Sequence, residues 1–155
     1  MAFTVEQSRT IPVSVENAFK GTMPAPLPTL FRRWYGPIPP ISGVRDQTGD
    51  WSTVGESRTL ILTGGGTMRE QLTRVDPPRS FGYTISNITG PLSALASSID
   101  GVWSFEPAGT GTRVGWQWTI HPRYRLGAAA LPVFGWLWRG YAAQALEDLS
   151  DRLTE

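Results

Sequence analysis

The chain has 155 residues, with 14 Lys and Arg against 13 Asp and Glu, one His and no Cys. This balance argues against the basic stripe of a nucleic-acid binder, and the lack of Cys removes disulfides, thiol nucleophiles and cysteine-ligated metals. The length fits a single domain over 1–155, large enough to bury a core without a disulfide or metal staple.

Residues 3–10 alternate apolar and polar at first, as a half-buried strand does. Ser14 is a good N-cap, and a short helix over about 14–22 is expected after it. Met23-Pro24-Ala25-Pro26 breaks that helix. A second short helical piece, from Leu27 to Trp34, would place Leu27, Leu30, Phe31 and Trp34 on one face. Gly36-Pro37-Ile38-Pro39-Pro40 then reads as a rigid turn segment. Six strands follow, near 41–47, 55–63, 67–76, 80–88, 99–106 and 112–120. Turn-like separators divide them, among them Gly64-Gly65-Gly66 and Asp76-Pro77-Pro78. Short connections imply antiparallel pairing.

From about Gly127 the pattern changes to that of a long helix. Leu131, Phe134, Leu137, Trp138, Tyr141, Ala145, Leu149 and Leu153 step by three and four. Glu147, Asp148, Asp151 and Arg152 are expected on its other face, and Pro132 in or near its first turn. The most apolar stretch, Leu126 to Trp138, is too short to span a bilayer. No basic region followed by an apolar run opens the chain, so neither a signal peptide nor stable membrane insertion is expected, and a cytoplasmic location is.

The expected fold class is α+β: a seven-stranded curved antiparallel sheet wrapped around one long C-terminal helix, with two short helices after strand 1. Only the last helix is long enough to cover the concave face. Seven tryptophans are many for this length, and suit either an aromatic core or a lined cavity.

Several segments carry a family resemblance. They are Val54-Gly55-Glu56-Ser57-Arg58, then Gly64-Gly65-Gly66, then Arg69 to Arg79 (REQLTRVDPPR), then Phe81-Gly82-Tyr83-Thr84-Ile85. Trp103-Ser104-Phe105-Glu106-Pro107 with Gly111-Thr112-Arg113-Val114, and Ala145 to Leu149 in the last helix, extend it. Together they resemble the START-like or Bet v 1-like superfamily, the polyketide-cyclase and lipid-transport (SRPBCC) group with its helix-grip fold. The resemblance implies a pocket between sheet and helix. It does not choose an activity, since that scaffold hosts lipid carriers, aromatase/cyclases, hormone receptors and chaperone activators.

Arg58 and Glu70 form the best polar pair. With Gly64-Gly65-Gly66 at a hairpin tip, Thr63 would face Thr67 and Leu60 would face Glu70. Arg58 would then be diagonal to Glu70 on the same face. The pair reads as an anchor for a ligand carboxylate, ketone or hydroxyl, or as a structural ion pair. Trp103, Trp116 and Trp118 alternate along strands with Phe105, Val114 and Ile120. They read as an aromatic wall for a flat ligand, joined by Tyr83, or as plain core. Trp34 at the expected pocket mouth, and Phe134, Trp138 and Tyr141 on the long helix, complete the candidate lining. Trp136 points elsewhere; with Trp34 it reads as a membrane- or partner-touching rim, or as simple overhang of the helix.

His121 ends the last strand. It is a candidate for acid–base work, although no motif places a partner beside it, and a surface or capping role is the alternative. With Glu70 and Arg58 it completes the weak catalytic candidates. One His and no Cys leave no His-based metal site, and no cofactor is expected. The reading that follows is binding or transport of a hydrophobic small molecule, lipid- or polyketide-like. A cyclase/dehydratase-type enzyme is the alternative, and a ligand-free protein-interaction module a further one.

Overall fold

A computed structural model describes residues 2–155. The chain runs β1 (Phe3–Ile11), α1 (Val15–Thr22), α2 (Leu27–Leu30), β2 (Ile41–Arg45), β3 (Ser57–Leu62), β4 (Thr67–Asp76) and β5 (Ser80–Ser86). A 3₁₀ turn (Pro91–Ala94), β6 (Ala96–Ala108), β7 (Gly111–Pro122) and α3 (Arg125–Leu153) follow. All seven strands join one antiparallel sheet in the order β1-β7-β6-β5-β4-β3-β2. From β2 onward, sequence neighbours are spatial neighbours; short turns dictate this between β3 and β4, β4 and β5, and β6 and β7. Helices α1 and α2 carry the chain from one sheet edge to the other. Ser14 caps α1, its Oγ accepting from the Asn17 N–H at 3.2 Å.

Strand alternation gives the sheet an apolar concave face. Leu60, Leu72, Ile85, Ile99, Phe105, Val114 and Ile120 are all fully buried there. Helix α3 closes this face with Leu131, Trp138, Tyr141, Ala145 and Leu149. Gly135 sets how close the helix comes to β1. A Cβ there would stand 2.7 Å from Val5 and 2.8 Å from Phe3, so only glycine permits the observed approach.

Local differences from the sequence expectation have physical causes. Helix α2 stops at Leu30, because Phe31 leaves helical geometry at φ −114° and ψ 59°. Trp34 therefore sits on a loop, not on the helix. Asp148 faces inward rather than to solvent: its Oδ1 accepts from Arg32 Nη2 at 3.0 Å and Arg33 Nη2 at 3.4 Å. These two arginines tie the loop after α2 to α3. Pro132 lies inside α3, which begins at Arg125; its missing N–H would have bonded Ala128. Strand β6 starts at Ala96, three residues earlier than expected, and a bulge between Ala96 and Ser98 admits the extra length.

The β3–β4 register also differs. Arg58 stands directly opposite Glu70, Leu60 opposite Met68 and Ile61 opposite Thr67. Thr63 does not join the ladder; its N–H bonds the Pro40 carbonyl instead, so the turn consumes Thr63 as well as the glycines.

Candidate functional site

Between the concave face and α3 lies a cavity of about 410 Å³. Its lining is apolar apart from Arg58, Glu70, Tyr83 and a few threonines. Some lining residues are also exposed, namely Trp34, Pro37, Thr63, Gly64, Thr89 and Pro91, and these mark its mouth.

The polar end is built by β3, β4 and β5. Arg58 Nε donates to Glu70 Oε1 at 2.7 Å, and both side chains are buried. Behind the pair, the Arg58 guanidinium stacks on Trp51, 3.8 Å from the ring centroid. Among the described residues, neither Nη of Arg58 nor Oε2 of Glu70 has a hydrogen-bond partner. Burial pushes the Glu70 carboxyl above its ordinary value; the Arg58 charge and hydrogen bond pull it back only in part.

A second polar device sits beside this pair. Tyr83, on β5, is opposite Gly101 on β6, and Gly101 is opposite Trp118 on β7. Because Gly101 has no side chain, the Tyr83 ring lies across β6 and reaches β7; a Cβ at Gly101 would collide with that ring. The Tyr83 hydroxyl there accepts from Trp116 Nε1 at 2.8 Å and Trp118 Nε1 at 3.1 Å. Burial, aided by the Glu70 charge, pushes the phenol pKa far up, so Tyr83 stays neutral.

The rest of the lining is an aromatic stack. Trp103 stacks on Trp116 at 5.2 Å, and Trp138 of α3 packs on Trp116 and Trp118 at 4.7 and 5.7 Å. Phe31 bridges Trp116 and Tyr141. The Tyr141 hydroxyl donates to the Pro39 carbonyl at 2.9 Å, so its ring alone is left for the cavity.

Arg58, Glu70, Tyr83, Trp103, Trp116, Trp118, Trp34, Phe134, Trp138 and Tyr141 thus share one cavity. His121 lies apart, on the outer face of the sheet, with Nε2 2.8 Å from Asp100 Oδ2. It cannot reach a molecule in the cavity. Sequence reasoning passed over Leu60 and Met68, which strand alternation on β3 and β4 could have found. It also passed over Trp51, Leu92 and Leu95, which lie outside the strands, where no periodicity exists to read.

The sequence profile of the family described as polyketide cyclase / dehydrase and lipid transport matches residues 2–154. No curated protein matches the sequence. Among solved structures, Ara h 8.0201 aligns with a TM-score of 0.74 at 18% identity, covering 99% of both chains. Ginseng major latex-like protein 151 from Panax ginseng aligns with a TM-score of 0.71 at 14% identity, covering 97% of each. A protein from Nitrosospira multiformis aligns at 0.67 and 15% identity, covering 96% of this chain and 94% of its own. At these identities the likeness is one of fold: the Bet v 1-like helix-grip architecture.

Proposed function

Since the chain belongs to the polyketide cyclase / dehydrase and lipid transport family, we propose that it binds and carries a hydrophobic small molecule, lipid- or polyketide-like, in the cavity beneath α3. The observation that carries this reading is the cavity itself. At about 410 Å³ it falls within the roughly 300–1,000 Å³ typical of small-molecule sites. A void of this size among so many large rings is not needed for packing, since interiors otherwise fill to near crystal density. The ligand's apolar body lies against Trp103, Trp116, Trp118, Phe134, Trp138 and Tyr141, with Trp34 at the entrance. Its polar end meets Arg58, Glu70 and Tyr83.

Native mass spectrometry of the purified protein tests this, together with tryptophan-fluorescence titrations against long-chain fatty acids and aromatic polyketides. Bound small molecules, or saturable quenching of the cavity tryptophans, are expected. An empty protein whose fluorescence is unmoved across both panels would refute the reading.

The raised pKa of Glu70 beside the open Nη edge of Arg58 favours a second reading, a cyclase-type enzyme. There the Glu70 carboxylate takes a proton from a carbon flanked by two carbonyls, and Arg58 holds the resulting enolate oxygen. The cavity folds the chain so that the enolate carbon adds to a second carbonyl: a C–C bond forms, that carbonyl's π bond opens to an alkoxide, and the alkoxide takes back the proton held by Glu70. Glu70→Gln would then abolish turnover of a poly-ketone while leaving its binding intact.

A further inference from the structure

The first turns of α3 are apolar on two opposite faces. Leu131, Gly135 and Trp138 point inward and are buried. Leu126, Ala129, Ala130, Val133 and Trp136 follow the same three-and-four spacing on the outer side, and all are exposed. Leu126 is 89% exposed, Val133 64% and Trp136 67%. An ordinary surface helix keeps that outer face polar. Here the polar face appears only later, from Gln144 onward.

This face adjoins the cavity mouth. Phe134, next to Val133, lines the cavity, and so does the exposed Trp34. The rim loops abut the helix. Gly127 packs against Leu95, and Gly140 against Tyr35. Along the chain, the charges that this part of α3 and the rim loops carry have one sign. Arg123, Arg125 and Arg139 are exposed, and no acidic residue occurs between Glu106 and Glu147. The rim segments 34–40, 62–66 and 86–95 contain none either.

We propose that the outer face of the N-terminal half of α3, with Trp34, docks on the surface of an anionic lipid bilayer and sets the cavity mouth against it. Exposed Trp136 and Tyr124 beside Leu126 and Val133 suit the headgroup boundary, where one end of a ring is wet and the other apolar. The unopposed arginines match anionic headgroups. No helix among the described residues is long and apolar enough to cross a membrane, so the contact is with the surface. A second copy of the chain fits less well, because two such faces would bring arginines of like charge together.

The test is co-sedimentation of the whole protein with vesicles of phosphatidylcholine alone and of phosphatidylcholine mixed equally with phosphatidylglycerol. Binding to the anionic vesicles with a blue shift in tryptophan emission is expected, and weaker binding to the neutral ones. Arg125→Gln with Arg139→Gln should weaken binding roughly 30-fold, from about one favourable contact per arginine. Val133→Ser with Trp136→Ala should weaken binding and shrink the blue shift to what Trp34 contributes, and circular dichroism should show both variants folded. Three outcomes would overturn the proposal: no binding to either vesicle, binding that both variants leave unchanged, or a dimer in light scattering that the Val133/Trp136 variant dissolves. Vesicle binding reads the surface and not the cavity, so this proposal and the carrier reading fail separately.

Discussion

Arg58 and Glu70 face each other across β3 and β4 with a single 2.7 Å hydrogen bond, buried at the polar end of an otherwise apolar cavity. One Nε–H bond does little to offset the desolvation of two charges, which is why burial outweighs Arg58 in setting the Glu70 pKa. A pair left with open donor and acceptor edges is poorly arranged for stability and well arranged to meet a polar ligand group.

The raised pKa fixes the sign of a pH effect. Folding strengthens proton binding at Glu70, so its contribution is fully present below about pH 4.5, its ordinary value, and is lost as pH rises through the folded value. Glu70→Gln mimics the protonated form and removes this titration. Urea unfolding from acid to neutral pH should show the wild type losing stability relative to Glu70→Gln as pH rises. A constant difference across the range would contradict the buried, desolvated carboxyl. Arg58→Met removes the one cation that acts on Glu70 among the described residues. It should destabilise by about 3–5 kcal/mol at neutral pH and by less in acid, where Glu70 is protonated.

Tyr83→Phe should be costly although the ring is unchanged. The hydroxyl is the one acceptor for two buried indole N–H groups, on Trp116 and Trp118. Each orphaned donor costs about 1–3 kcal/mol. Denaturant unfolding checks the loss, and a blue shift in emission should accompany it. Unchanged stability would mean that the cavity supplies both indoles with another acceptor.

The grip was legible in the sequence, because strand alternation, Gly and Pro turns and the helical stripe from Leu131 to Leu153 each report on neighbours close in the chain. Concave-face placement of Trp103, Trp116 and Trp118 follows from alternation alone. The Arg58–Glu70 pairing was legible as to face but two residues off in register, since nothing in Leu62 to Gly66 says how many residues the turn consumes. Asp148 was misplaced because its partners, Arg32 and Arg33, are distant in sequence and their approach depends on the loop after α2. The space beneath α3 was not legible, because a packed aromatic core and a lined cavity share one pattern and differ only in volume. The separation of His121 from the site was legible by strand alternation, since it stands one position beyond Ile120 on β7 and so turns to the outer face.

Gly101 was silent in the sequence, yet it sets the position of the Tyr83 hydroxyl. Gly101→Ala forces the phenol ring off β6, since the added methyl occupies the space of the ring. Overpacking of this kind costs about 1–3 kcal/mol, and loss of the two indole bonds adds to it. The double variant Gly101→Ala/Tyr83→Phe should cost less than the two single changes summed, because both break the same bonds. Strict additivity in unfolding experiments would show that Gly101 acts through something other than Tyr83.

Met68 offers a way to close the cavity without touching its polar end. It lies on the concave face of β4 opposite Leu60, is buried, and lines the cavity. Met68→Trp projects a larger ring into the void. In a filled core that change would cost about 1–3 kcal/mol. Here the void accepts the ring, so stability should hold or rise while binding of fatty acid or polyketide probes falls by tenfold or more, roughly 1.4 kcal/mol. His121→Ala, on the outer face, is the matched control and should leave binding unchanged. Calorimetry and fluorescence titration on the two variants separate the possibilities. A Met68→Trp protein that is strongly destabilised would show that the space is needed for packing. One that binds as before would place the ligand elsewhere.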